Sequence, residues 1–150
     1  MIDSRLELAL WAGASGSTLM MAGLCWFVQL VAYPMLSEIA RGGPEVFARC
    51  HALHVRKITW FVAPAMLTEA GTTVALLVLA PGALTWACAA LLALLWAATF
   101  GVHVPMHERL GRHGFEPALH RRLVSTNWIR TVGWTVKGAL LLAMVPAMVL

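Results

Sequence analysis

Histidine is the chemically versatile residue that this chain collects. His51 and His54 are three residues apart, and His103 and His107 are four apart. Such spacings put each pair on one face of a helix. His113 and His120 complete a set of six. Paired imidazoles at helical spacing suit a metal ion. His51, His54, His103, His107 and His120 therefore form a candidate transition-metal site for zinc, copper or iron, with Glu108 a nearby carboxylate. No HExxH or CxxC accompanies them, and Pro105 interrupts the second pair. Each histidine alone also reads as an interfacial side chain bonded to backbone or water. Without a metal, His107 or His103 is the natural general base.

A second pattern lies near the C-terminus. His120, Asn127, Arg130, Trp134 and Lys137 are separated by seven, three, four and three residues. On a continuous helix, at about 100° per residue, they share an arc of roughly 100°. A polar, cationic stripe on an otherwise apolar helix needs polar partners or a wet cavity. Arg130 offers a fixed fork for a carboxylate, phenolate or enolate, and with Asn127 it suits a developing oxyanion. Gln29 matches Arg130 in depth. Glu69 and Lys137 also match, at about 16 and 18 Å from the ends of their runs by helix rise. They are expected to pair, directly or through water, as a structural or a functional ion pair. Gln29, Glu69, Trp134 and Lys137 are the candidate substrate-binding residues. Trp26, Trp96 and Trp134 suit stacking on an aromatic ligand, although core packing is the default for such side chains.

The elements that must hold these residues are apolar. The chain has 150 residues, 60% hydrophobic and 12% charged, against about 25% charged for a soluble domain. So little charge cannot cover a water-soluble globule of this size, so lipid is expected to cover much of it. The sequence predicts one all-α transmembrane domain over 1–150, a four-helix bundle with spans at about 8–36, 58–79, 83–104 and 123–149. The first run reads as a retained span rather than a signal peptide, with Asp3 and Ser4 as N-caps and Tyr33-Pro34 as its exit. Gly42-Gly43-Pro44 breaks the chain before an amphipathic stretch that lies at the interface or runs into the second span. Pro81-Gly82 makes an uncharged turn. Ala89, Ala93, Ala97 and Gly101 form a ridge of small residues suited to close helix packing, as do Gly13 and Ser17.

Charge sets an expected orientation. Arg41, Arg49, Arg56 and Lys57 lie between spans one and two, and Arg109, Arg112, Arg121 and Arg122 between three and four. Basic loops stay inside. Segments 37–57 and 105–122 are therefore expected in the cytoplasm and both termini outside the cell membrane. Trp60 and Trp128 at one boundary, with Trp11 and Trp86 at the other, fit aromatic belts. The net charge of +4 suits a membrane surface, and no nucleic-acid motif is present. Cys25, Cys50 and Cys88 have no metal or disulfide spacing.

Several short segments carry a family likeness: Trp26-Phe27-Val28-Gln29 with Tyr33-Pro34, Pro64-Ala65-Met66-Leu67-Thr68-Glu69, Val104-Pro105-Met106-His107, and Thr126-Asn127-Trp128-Ile129-Arg130-Thr131 with Trp134 beyond. In order and placement they resemble the anthrone-oxygenase-like family of small four-helix membrane proteins, most of them uncharacterised. The resemblance spans most of the chain. It implies a four-helix fold and oxidation of a phenolic or polycyclic aromatic substrate, without a well-established cofactor. Family members often carry asparagine where this chain has His107, which is a departure from the pattern.

Three functions remain open at this stage. One is an oxidoreductase or oxygenase acting on a lipophilic aromatic or quinone-like molecule in a polar pocket open to the cytoplasm. A second is proton or anion transport through Glu69 and Lys137, for which so small a chain would need to form a homo-oligomer. The third is an accessory membrane subunit.

Overall fold

The structure is a computed structural model and describes residues 4–144. Asp3, the side chain of Ser4 and positions 145–149 of the fourth expected span lie outside the described residues. Four helices account for nearly all of the rest: α1 (Arg5–Ala40), α2 (Pro44–Leu79), α3 (Ala83–His113) and α4 (Pro117–Ala143). Among the described residues there is no strand. Each helix packs on its sequence neighbours, and α4 closes the ring onto α1. The chain is an all-α helical bundle.

Helices α1, α2 and α3 are long and apolar enough to cross a membrane. Helix α4 falls short in average apolarity because it contains Asn127, Arg130 and Lys137. All three face inward, whereas Trp128, Ile129, Val132 and Val136 are exposed. This inverts the pattern of a soluble helix. The other helices agree: Trp60 is 76% exposed, and Leu30, Leu67, Val78 and Trp86 are also on the outside. Each large apolar side chain left in water forgoes about 1.5–3 kcal/mol. Lipid is therefore the medium that such an outer surface fits, and this is a membrane protein.

Local chemistry sets the helix ends. Gly43, at φ 101°, supplies a left-handed turn that other residues resist, and Pro44 opens α2. Gly114, at φ 83°, closes α3, and Pro117 opens α4. At the far end, Thr85 Oγ1 accepts a hydrogen bond from the Gly82 N–H at 2.8 Å and fixes the α2–α3 turn.

The structure corrects three expectations and settles one open alternative. Helix α1 does not end at Tyr33-Pro34. It widens into a π turn over Val28–Ala32, where the Tyr33 N–H bonds the Val28 carbonyl, and continues to Ala40. Proline lacks an N–H and crowds the preceding turn, and widening the helix just before it relieves both problems. Helix α3 repeats the device: a π turn over Thr99–His103 precedes Val104-Pro105, and the helix continues to His113 rather than stopping at 104. The amphipathic stretch after Pro44 is the first part of α2, continuous with the second span through Pro64. Finally, Ala93, Ala97 and Gly101 are exposed, so the small-residue ridge of α3 faces away from the bundle. Close approach uses other glycines. A Cβ on Gly13 would lie 2.9 Å from Thr72 Cγ2, and one on Gly133 would lie 2.6 Å from Leu95 Cδ2.

Candidate functional site

Three polar clusters lie along the bundle, and they differ in what they leave unsatisfied. The deepest is Glu69 with Lys137. Both are 0% exposed, and Lys137 Nζ lies 2.8 Å from Glu69 Oε1. Lys137 also donates to Thr18 Oγ1 at 3.0 Å and Thr73 Oγ1 at 3.1 Å. Glu69 accepts from Thr18 at 2.9 Å and from Trp134 Nε1 at 3.0–3.1 Å. The three protons of the ammonium are all used. A buried pair persists only when such extra bonds offset its desolvation. This one is sealed, with no opening to a ligand.

The second cluster sits about two to three turns nearer the basic end. Asn127 Nδ2 donates to Gln29 Oε1 at 2.9 Å, and Gln29 Nε2 donates to the Val124 carbonyl at 3.3 Å. Asn127 Oδ1 accepts from Arg130 Nη1 at 3.2 Å. The Arg130 guanidinium lies 5.2 Å from the centre of the Trp134 ring, a cation–π contact. Arg130 Nε has no partner, although the residue is 9% exposed.

The third cluster is the histidine set. His51 Nε2 lies 3.2 Å from His107 Nδ1, and His107 Nε2 lies 3.2 Å from the Tyr33 hydroxyl. The His51 and His107 rings stack at 5.4 Å, and His54 lies 6.1 Å from His107. Tyr33, His107 and His51 thus form a three-member hydrogen-bonded chain. It can run with the protons pointing either way, and reversing it carries a proton from one end to the other. His51, His54 and His107 lie in segments 37–57 and 105–122, which the sequence places outside the crossings. Burial pushes all three below the ordinary histidine range, so they are neutral at pH 7 and resist taking up a charge.

A cavity of about 570 Å³ joins the second and third clusters. It lies between α2 and α3 at the end that carries the two basic connections, with α1 and α4 behind it. Leu24, Val28, Ile58 and Val62 give it apolar walls, and Tyr33, His51, His54, His103, His107 and Arg130 bring polar groups to it. His103 is 2% exposed, and its ring nitrogens make no close hydrogen bond, although the Thr126 backbone lies beside the ring.

The sequence-derived residues therefore divide. His103, His107, Arg130, His51 and His54 meet at the cavity. Asn127 and Gln29 do not line it, but Asn127 holds Arg130 from behind. Glu69, Lys137 and Trp134 belong to the sealed cluster, so their assignment to substrate binding is corrected. Trp26 packs edge-on against Trp128, and Trp96 against Phe100, and neither lines the cavity. The five-histidine metal site is corrected too: among the described residues no three His, Cys, Asp or Glu side chains form a group able to hold a metal ion. His51 and His107 turn facing nitrogens on each other. His120 points away, with Nε2 on the Tyr33 carbonyl at 3.0 Å. Glu108 pairs with Arg112 at 2.8 Å. Sequence reasoning missed Tyr33 as a site residue. Its signal was present, because it is the chain's single tyrosine and lies at the histidine-rich end.

No family model, curated protein or solved structure matches this chain.

Proposed function

We propose that this protein binds a lipophilic aromatic or quinone-like molecule in the α2–α3 cavity and handles its proton, as an oxidoreductase or oxygenase of the membrane. The observation that carries this reading is the Tyr33–His107–His51 chain on the wall of an apolar cavity that also receives Arg130. Volumes of about 300–1,000 Å³ with a few convergent polar groups suit small-molecule ligands. A flat apolar ring fits between Val28, Ile58 and Val62. A phenolic O–H gives its proton to an end of that hydrogen-bonded chain, the Tyr33 oxygen or the second nitrogen of His51, and His107, hydrogen-bonded on both sides, relays it. Removing that proton raises the electron density of the ring and eases its oxidation by an acceptor such as dioxygen. The resemblance to the anthrone-oxygenase-like proteins points to the same substrate class. In this reading the basic end of the bundle is cytoplasmic and the cavity opens there.

Elemental analysis, an absorption spectrum and solvent extraction of the detergent-purified protein test the proposal. The expected result is a co-purifying aromatic or quinone near one per chain, lost in His107→Leu and Arg130→Met. An empty protein that also fails to bind added naphthoquinones would refute it. The transport reading is weaker, because the Glu69–Lys137 cluster is closed off from the cavity and its donors are used.

A further inference from the structure

Arg130 is a buried cation without a counter-ion. Each of the four ion pairs among the described residues uses another base: Arg41–Glu38, Arg109–Glu116, Arg112–Glu108 and Lys137–Glu69. Arg130 meets the neutral carbonyl of Asn127, the face of Trp134 and the Tyr33 hydroxyl, none of them a carboxylate. Burying a charge in a bundle surrounded by lipid is costly unless an opposite charge joins it. Two further observations bear on the cavity. Both Arg130 and His103 line it, and neither the Arg130 Nε–H nor the His103 ring, which has the Thr126 backbone beside it, makes a close hydrogen bond within the protein. Fully buried polar atoms are almost always bonded, and groups left open in this way mark where something else binds. The apolar walls exclude a bare hydrated ion as the natural occupant, since such an ion would leave most of the volume unfilled.

We infer that the ligand carries one acidic oxygen and binds as its anion, a carboxylate, phenolate or enolate on an apolar skeleton, with that oxygen on the Arg130 guanidinium and a further hydrogen bond from His103. This rests on the reading of the cavity as a ligand site and adds the ionisation state of the ligand. A neutral His103 offers one N–H to the anion. Arg130 gives a planar, permanent charge that Asn127 and Trp134 hold in place. Affinity should therefore depend on the charge of the ligand, and ring shape alone should not suffice.

The test uses the full chain in detergent and two probes, the hydroxynaphthoquinone lawsone, which is ionised at neutral pH, and its uncharged methyl ether. Binding is read from quenching of tryptophan fluorescence. A charged hydrogen bond to a buried partner predicts that lawsone binds on the order of tenfold to a hundredfold tighter than the ether. Arg130→Met should bring that ratio close to one, whereas Arg130→Lys should keep a preference for lawsone. If Arg130→Met does not fold, as judged by helical circular dichroism, His103→Leu serves instead: it should weaken lawsone severalfold and leave the ether unchanged. Equal binding of the two probes by the wild type overturns the inference and leaves the cavity as a site for uncharged rings. Failure of both probes overturns the inference and the proposed function together. Displacement of lawsone by excess chloride, with chloride itself raising the melting temperature of the wild type but not of Arg130→Met, also overturns it, because the counter-ion is then inorganic.

Discussion

At the scale of single residues, satisfaction of hydrogen bonds separates structure from chemistry. Lys137 and Glu69 fill each other's valences, so removing one partner strands a charge. Glu69→Gln or Lys137→Met alone should cost about 3–5 kcal/mol, and the double variant should recover most of that loss. Unfolding in a graded detergent or urea series measures it, and a double variant no better than the singles would show that the pair is not acting as a unit. The histidines behave differently. Their protonation is disfavoured in the fold, so below about pH 6.5 the unfolded chain binds more protons than the native one. Their contribution to stability is fully present above that pH and is lost as pH falls toward their depressed values. The melting temperature should drop between pH 7 and pH 5, and less so in His51→Leu. An equal drop in that variant would assign the effect to other groups. Much of this scale was legible in the sequence. Helix rise alone matched Glu69 to Lys137, and the 7-3-4-3 spacing put five residues on one buried stripe. The partners of each histidine were not legible, because ring orientation depends on how two π turns rotate the faces of α1 and α3.

At the scale of elements, Pro34 and Pro105 were misread as breaks. Both lie within continuous helices, as does Pro64 inside the second span. Local propensity argues for an end at each, but in lipid an unpaired backbone group costs several kcal/mol, so the helix bends around the fault instead of stopping. The π turns also place Tyr33 and His103 at the cavity, at the ends of the two widened segments. Small residues followed the same pattern of partial legibility. Spacing picked out the alanine ridge of α3, yet the tight contact runs through Gly133, an isolated glycine that no periodic motif marks. Gly133→Ala drives a methyl into Leu95, which is itself fully buried. It should destabilise the bundle by about 1–3 kcal/mol, whereas Gly101→Ala, with open space around it, should be near neutral. Thermal unfolding of the two variants side by side checks the contrast, and an equal loss would mean that the ridge is engaged.

At the scale of the whole molecule, composition gave away the membrane, because so small a charged fraction leaves an outer surface that only lipid accommodates. The distribution of arginine implies a topology that labelling can test. In a background free of native cysteine, an impermeant maleimide should reach Gly82→Cys in intact cells and Arg121→Cys only after permeabilisation, and the reverse pattern would invert the bundle. The cavity was not readable from sequence, since it exists only where α2 and α3 stand apart. That gap has a mechanical side. The two helices are joined by a three-residue link at one end of the bundle and are clasped again at the other by the His51–His107 hydrogen bond. From the link to His103 is about 30 Å of helix, so releasing that clasp and swinging by ~5° about Pro81-Gly82 would widen the gap by ~3 Å, close to the thickness of one aromatic ring. A flat guest could then slide in sideways from the bilayer without any helix unwinding.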